Sequence, residues 1–275
     1  MLYFVPTPIG NLLDISFRSL EILKACEVLI CEDTRVSKSL INLLNSKYSC
    51  SIKPQLFLSL HSHNEEEFLK QISEDLFQKE VVCVSDAGMP AISDPGNFLI
   101  KFALENNIAF EVLPGANAAL VALVSSGFCE KEFIFLGFLS NKGTSRQKDI
   151  EKLLNYPFAS IVYEAPSRVL SLVQDIAKID AQREIFAIKE ISKKFETKFK
   201  NKAKKLANEL EKSNLNGEWV LVISAREDAN FKQNTLCEQD ILELDLPLKT
   251  KSKLLSKMSG KNAKEIYSKL LLSEN

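Results

Sequence analysis

Short unbroken apolar runs recur along the first half of the chain, each bounded by turn residues and separated from the next by a longer segment with one polar face. Residues 2–5, 28–31, 55–58, 81–84 and 110–113 have the length and continuous hydrophobicity of strands buried on both faces. The segments between them show helical spacing. Phe17, Leu20 and Leu23 fall three apart behind Asp14 as a cap. Phe68, Ile72 and Leu76 fall four apart behind Asn64, with Glu65, Glu66 and Glu67 where the positive end of a helix favours carboxylates. This alternation predicts an α/β domain over residues 1–115.

After Pro114-Gly115 the alternation continues less strictly. Residues 133–138, 160–163, 185–189 and 219–224 read as strands, and the long polar stretches 141–152 and 193–216 between them suit a mixed sheet. This predicts a second α/β domain over 116–225. The acidic segment 226–245 reads as a linker, and 246–275 as a helical tail. In that tail Leu254, Leu255 and Met258, then Ala263, Ile266, Tyr267 and Leu270, mark two short amphipathic helices around Ser259-Gly260, a helix-turn-helix-like pair.

Composition narrows the class. With 275 residues, 45% apolar and 26% charged, the chain can bury a sizeable core. Its longest apolar run, around 118–124, is far short of the ~18–20 residues of a membrane crossing, and no secretory signal is visible at the N-terminus. The six cysteines, at 26, 31, 50, 83, 129 and 237, show no C-x-x-C spacing and read as buried thiols of a cytoplasmic protein. A net charge of −1 provides no global attraction to nucleic acid, but basic residues gather locally. Residues 189–212 hold nine Lys against four Glu, and 249–275 hold seven against two. Such stretches are either solvated helix faces or an RNA-binding surface.

The glycines never form G-x-G and no P-loop occurs, which excludes the usual dinucleotide and nucleotide fingerprints. The only histidines stand in His61-Ser62-His63, with no acidic or thiol partners at metal-ligand spacing, so no metal is expected. Three loops at strand C-terminal ends remain, where open α/β sheets bind ligands. In Pro6-Thr7-Pro8-Ile9-Gly10-Asn11, two prolines stiffen a turn that leaves a few backbone N–H groups free. Cys31-Glu32-Asp33-Thr34-Arg35 puts three ionisable groups after an apolar strand, either as a site or as an ion-pair cluster. The twelve-residue loop 85–96 (Ser-Asp-Ala-Gly-Met-Pro-Ala-Ile-Ser-Asp-Pro-Gly) is the most informative. Glycine allows close backbone approach to a ligand, and its aspartates can accept from a ribose or an amine.

Taken in order, these loops carry a resemblance. Thr7-Pro8-Ile9-Gly10-Asn11, Glu32-Asp33-Thr34-Arg35, His61-Ser62-His63-Asn64-Glu65, the 85–96 loop, Leu113-Pro114-Gly115-Ala116-Asn117-Ala118-Ala119 and Tyr163-Glu164-Ala165-Pro166-Ser167-Arg168 are similar to the ribosomal RNA small subunit methyltransferase I family. That family is a branch of the tetrapyrrole-methylase-like enzymes. The resemblance covers essentially the whole chain. It implies two α/β domains of tetrapyrrole-methylase type with S-adenosylmethionine (SAM) in the cleft between them, plus the helical tail. The implied activity is 2′-O-methylation of a cytidine ribose in 16S rRNA, carried out on the assembled 30S subunit by a homodimer with no membrane or DNA partner.

The cofactor contacts it implies are Pro8, Ile9, Asp86, Gly88, Met89, Asn117 and Ala118, with Tyr163, Ala187 and Glu218 from the wider superfamily. The sequence departs from the family near Asn117, at Met89, and at Lys189, where lysine in place of arginine keeps the charge but gives up the planar fork. Removing a ribose proton calls for a carboxylate or a lysine. Glu32 or Asp33 is the expected base, with Lys189 and Glu190 as a second pair. Arg35 and Arg18 are expected on phosphate, and Lys193, Lys194, Lys249 and Lys253 on RNA more widely. Two other readings stay open at this point: methylation of a small tetrapyrrole-like ring, or a non-catalytic RNA-binding assembly factor on the same fold.

Overall fold

The computed structural model describes residues 1–61, 63–128, 131–226 and 238–273. Residues 1–226 form one compact unit and 227–275 another. The first unit holds two five-stranded sheets.

The first sheet is wholly parallel. Its strands are β1 (Leu2–Phe4), β2 (Val28–Cys31), β3 (Leu56–Ser59), β4 (Val81–Val84) and β5 (Phe110–Val112), in the order β3-β2-β4-β1-β5. Side chains alternate across the sheet, so each strand feeds two cores. Leu29, Val82 and Val84 face α1 (Phe17–Ala25) and α2 (Thr34–Tyr48), where Leu20, Leu23, Ile41 and Leu44 are buried. Val28, Ile30, Val81 and Cys83 face the other way, toward Leu99 and Ala103 of α4 (Asn97–Glu105) and partly buried residues of α3 (Glu65–Gln71). Burial on both faces is why β2 and β4 lack polar positions, whereas the edge strands β3 and β5, expected to be buried, are part-exposed and carry Ser59 and Glu111.

The second sheet is mixed, as the polar spacers suggest. It comprises β6 (Phe133–Phe138), β7 (Ala159–Glu164), β8 (Glu184–Lys189), β9 (Thr197–Lys202) and β10 (Trp219–Ile223), in the order β6-β7-β10-β8-β9. Only β6 and β7 run parallel; the other pairs are antiparallel. One face packs on α6 (Gly143–Asn155), α7 (Val169–Ile179) and α8 (Ala203–Glu211). The other packs on Ala119, Ala122 and Leu123 of α5 (Ala118–Ser126), and Ile9 from the first loop joins that core.

In the second unit, α10 (Leu248–Ser259) packs on α9 (Glu238–Glu243) and α11 (Ala263–Ser273). Gly260 ends α10 in the left-handed conformation, so the Ser259-Gly260 turn forms where the sequence places it.

Several local expectations are corrected. Ser16, not Asp14, caps α1 by accepting from the Ser19 N–H, and this register leaves Phe17 87% exposed. Asn64 stands at the N-cap of α3 as expected, but its side chain makes no cap bond and accepts from the His61 N–H instead. Helix α3 stops at Gln71, so Leu76 lies on a separate 3-10 turn. Glu65, expected only to complement the helix's positive end, is buried and accepts from Gly96 N at 2.6 Å. The polar stretches hide β9 and the helices α6 and α8, and part of the expected linker is α9. The described cysteines are free; Cys26, Cys31 and Cys83 are buried and Cys50 half-buried, whereas Cys129, Cys237 and Ser62 lie outside the described residues. No described helix is long and apolar enough to cross a membrane. No group of His, Cys, Asp or Glu suited to a metal occurs among the described residues.

Candidate active site

The three loops meet at the C-terminal end of the first sheet. Thr7 and Gly88 form an antiparallel bridge, with Thr7 N donating to Gly88 O at 2.9 Å and Gly88 N to Thr7 O at 3.1 Å. The buried Thr7 hydroxyl donates to Ser85 O, and the Ser85 hydroxyl donates to Gly88 O. Gly88 adopts φ +86°, which strains any residue with a Cβ, and an added Cβ would lie 3.1 Å from Ile9. The first loop therefore clamps the start of the 85–96 loop, and Glu65 holds its far end at Gly96.

The first and third loops wall a cavity of about 400 Å³ that faces the second sheet, whereas Glu32, Asp33 and Arg35 of the second loop stand behind Asp86 and do not line it. From the first half of the chain come Ile9, Asp86, Gly88, Met89 and, unanticipated as a site residue, Asp94. From the second come Asn117, Ala118, Tyr163 and Glu218, with Phe138, Glu164, Ile191 and Trp219 as further additions. Asn117 caps α5 by accepting from Leu120 N at 3.1 Å, which turns that helix's positive end toward the cavity. The loop's second aspartate, in Asp94-Pro95-Gly96, is the sequence signal that could have singled out Asp94. Phe138 gave none.

Other expected residues stand elsewhere. Pro8 is beside Ile9 but does not line the cavity, and Ala187 is fully buried in the core beneath α7 and α8. Lys189 is buried, with its ammonium donating to Asn214 O and lying over the Trp219 ring. Glu190 accepts from Glu218 N at 3.0 Å and from Lys193 Nζ at 3.1 Å, contacts that lower its pKa. Glu190 braces the 190–193 turn, Lys189 ties its strand to Asn214, and both sit outside the cavity lining. Lys193 bridges Glu190 and Glu218, and Arg18 pairs with Glu111. Lys194 is exposed over Phe195. In the second unit, Lys249 and Lys253 are exposed one turn apart on α10.

Electrostatics separate the two expected bases. Asp33 caps α2 and receives three hydrogen bonds from Arg35: its backbone N–H at 2.8 Å, Nε at 3.1 Å and Nη2 at 2.7 Å. Those bonds hold the Asp33 carboxyl down at about 2. Arg35 itself is 89% exposed. Glu32, half-buried, has its pKa raised, first by burial and then by the charges of Asp86, Asp94 and Asp33. Burial also raises Asp86, whose carboxylate accepts from Asp33 N at 3.2 Å, and Asp94. Burial, then Asp94, pushes up the Tyr163 hydroxyl.

The stability consequence has a definite sign. Glu32, Asp86 and Asp94 have folded pKa values above the unfolded ones, so their contribution is full at acid pH and is lost as pH rises through the raised values. Asp33 acts oppositely, stabilising at neutral pH and losing that effect as pH falls toward about 2. Asp94→Asn is therefore expected to gain Tm relative to the parent chain as pH rises above the ordinary carboxylate range. Melting curves from that range upward check this, and a difference independent of pH would contradict it.

Comparison with known proteins follows the same lines. Residues 1–207 match the Tetrapyrrole (Corrin/Porphyrin) Methylases. The ribosomal RNA small subunit methyltransferase I of Campylobacter fetus subsp. fetus is 54% identical over 272 residues, 98% of this chain and 100% of that protein. The Helicobacter pylori protein of the same name is 42% identical over 287 residues, 100% of this chain and 98% of that one. Among solved structures, uroporphyrin-III C-methyl transferase from Thermus thermophilus complexed with S-adenyl homocysteine aligns with TM-score 0.56 at 14% identity, over 80% of this chain and 96% of that one. The cobalt precorrin-4 methyltransferase of cobalamin biosynthesis aligns with TM-score 0.58 at 14% identity, over 81% and 94%. These two likenesses establish the fold. The chain belongs to the ribosomal RNA small subunit methyltransferase I family, within the tetrapyrrole methylases.

Proposed function

We propose that the chain transfers the methyl group of SAM to the 2′-hydroxyl of a cytidine ribose in 16S rRNA, within the 30S subunit and as a homodimer. The observation that carries the reading is the cavity itself. Its volume of about 400 Å³ falls in the range of small-molecule sites, and it combines apolar walls with a few polar groups. It also fits the chemistry of SAM. Gly88 lets backbone approach the ligand, Asp86 and Asp94 offer acceptors to ribose hydroxyls or an amine, and Tyr163 gives an aromatic wall.

When bound, SAM supplies an electrophilic methyl on a positively charged sulfur. The rest of the task falls to the chain: excluding water, aligning the acceptor oxygen in line, and taking its proton. Glu32 is the better base of the two considered, because its raised pKa brings proton affinity closer to neutral pH while Asp33 is committed to Arg35. Asp33 then acts as the post that fixes Arg35, whose exposed guanidinium can meet a phosphate. Lys194, Lys249 and Lys253 are the exposed cations proposed to meet the RNA backbone. For the homodimer, support comes from the exposed apolar face of α5, where Val124 is 80% exposed beside Leu120 and Val121.

The test is methyl transfer from labelled SAM to 30S subunits, to free 16S rRNA and to a uroporphyrinogen, followed by nucleoside analysis. Label recovered as 2′-O-methylcytidine is the expected result. Label on a nucleobase, or only on the tetrapyrrole, would overturn the reading.

A further inference from the structure

Among the described residues, two buried side-chain polar atoms have no hydrogen-bond partner, and both belong to one cluster. They are Arg146 Nη2 and Arg168 Nε. Both guanidiniums surround the carboxylate of Glu164, whose side chain is fully buried. Glu164 Oε2 accepts from Arg146 Nη1 at 3.1 Å, and Oε1 accepts from Ala165 N at 2.9 Å. Arg168 Nε stands 2.7 Å from Oε1, but its N–H is not directed at that oxygen. Arg146 Nη1 also donates to Ser140 O.

Neighbouring carboxylates do not complete the balance. Asp175 lies 4.0 Å from Arg146 Nε but only 2.8 Å from Lys178. Asp149 is held by the Ser140 N–H. One buried carboxylate thus serves two guanidiniums, and buried polar groups in folded proteins are ordinarily satisfied.

The cluster also has a direction. Arg168 is the N-cap residue of α7 and supplies no side-chain cap, so the positive end of an eleven-residue helix adds to the same field. Glu164, Ala165 and Pro166 line the cavity, and the Arg168 side chain is 23% exposed. Within this cluster two guanidiniums face one carboxylate, directly behind the Glu164–Pro166 stretch that lines the cavity, although neither arginine is itself a lining residue.

We propose that Arg168, backed by Arg146 and oriented by Glu164, forms an oxyanion subsite at this rim of the cavity. The two oxyanions within its chemistry are the α-carboxylate of SAM and a phosphodiester of the RNA next to the acceptor ribose. The inference rests on the function proposed above and adds a recognition element to it.

The experiment compares the full chain with Arg168→Gln and Arg168→Lys. Calorimetry measures binding of S-adenosylhomocysteine and of 5′-methylthioadenosine, which lacks the amino-acid carboxylate. RNA binding is followed across a salt series with the unmodified 16S rRNA. If the carboxylate is held, Arg168→Gln weakens S-adenosylhomocysteine about tenfold or more and leaves methylthioadenosine unchanged. If a phosphodiester is held, both small ligands bind as before and the salt slope of RNA binding becomes shallower by ~0.7. Arg168→Lys keeps the charge without the fork and is expected to lose part of either effect, which covers the case where the glutamine variant does not fold. Unchanged affinities and an unchanged slope in folded variants would overturn the subsite and leave a structural cluster. Failure of the parent chain to bind either SAM-type ligand or RNA would instead overturn the functional reading beneath it.

Discussion

Glu32→Gln is expected to slow single-turnover methyl transfer by about 10²–10⁴, the usual contribution of a positioned general base, with S-adenosylhomocysteine affinity retained. The substitution keeps shape and hydrogen-bonding capacity but removes the proton acceptor. Glu32 is suited to the role by its surroundings: partial burial and the carboxylates of Asp86, Asp94 and Asp33 all disfavour its charge. The same reasoning gives a pH signature. The acid limb of the parent rate profile should lie above the ordinary carboxylate range, because the base must be ionised to act. Asp33→Asn behaves differently: it frees Arg35, so its cost should appear in RNA binding more than in the chemical step. Glu32→Gln turning over like the parent chain would remove the base assignment.

Gly10→Ala is expected to cut S-adenosylhomocysteine affinity about tenfold or more and to lower Tm. A Cβ at Gly10 would lie 2.6 Å from Ile191 O, 2.6 Å from Lys193 Cγ and 3.0 Å from Lys193 N. The lysine chain can swing away, but the two backbone atoms belong to a turn braced by Glu190, Glu218 and Lys193. Forced overpacking of this kind costs about 1–3 kcal/mol. The loops pushed apart carry Ile9 and Ile191, which both line the cavity, so the loss falls on the ligand as well as on the fold. Calorimetry and a melting curve on the one variant separate the two. A lower Tm with intact affinity would mean that this junction is not a cavity wall.

What could be read from the residues followed burial closely. Residues 28–31 and 81–84 are legible as strands because both faces are covered, and β2 and β4 occupy those positions. Strand β9 is illegible because it lies at a sheet edge: its sequence Thr-Lys-Phe-Lys-Asn-Lys alternates solvent-facing lysines with a half-buried face, where Phe199 stacks on Trp219 at 5.8 Å. Helix α8 buries Ala203, Leu206, Ala207 and Leu210 at helical spacing, a pattern hidden by the surrounding lysines.

The candidate site divides in the same way. Loops rich in glycine, proline and aspartate declare themselves, since few structural turns need such residues over twelve positions. Ile9, Asp86, Gly88 and Met89 accordingly meet in one cavity with Asn117, Ala118, Tyr163 and Glu218. Charge alone misleads. Lys189, Glu190, Lys193 and Arg18 read from sequence as chemistry or RNA contacts, yet each is engaged by a protein partner, a pairing that only the folded chain determines.

The central claim is that this cavity holds SAM with its methyl group toward an RNA ribose. A crystal structure grown with S-adenosylhomocysteine tests it most directly. The ligand is expected between the 85–96 loop and the end of β7, with its nucleoside near Gly88 and Tyr163. Clear density for it in another crevice, or none there at saturating ligand, would contradict the account.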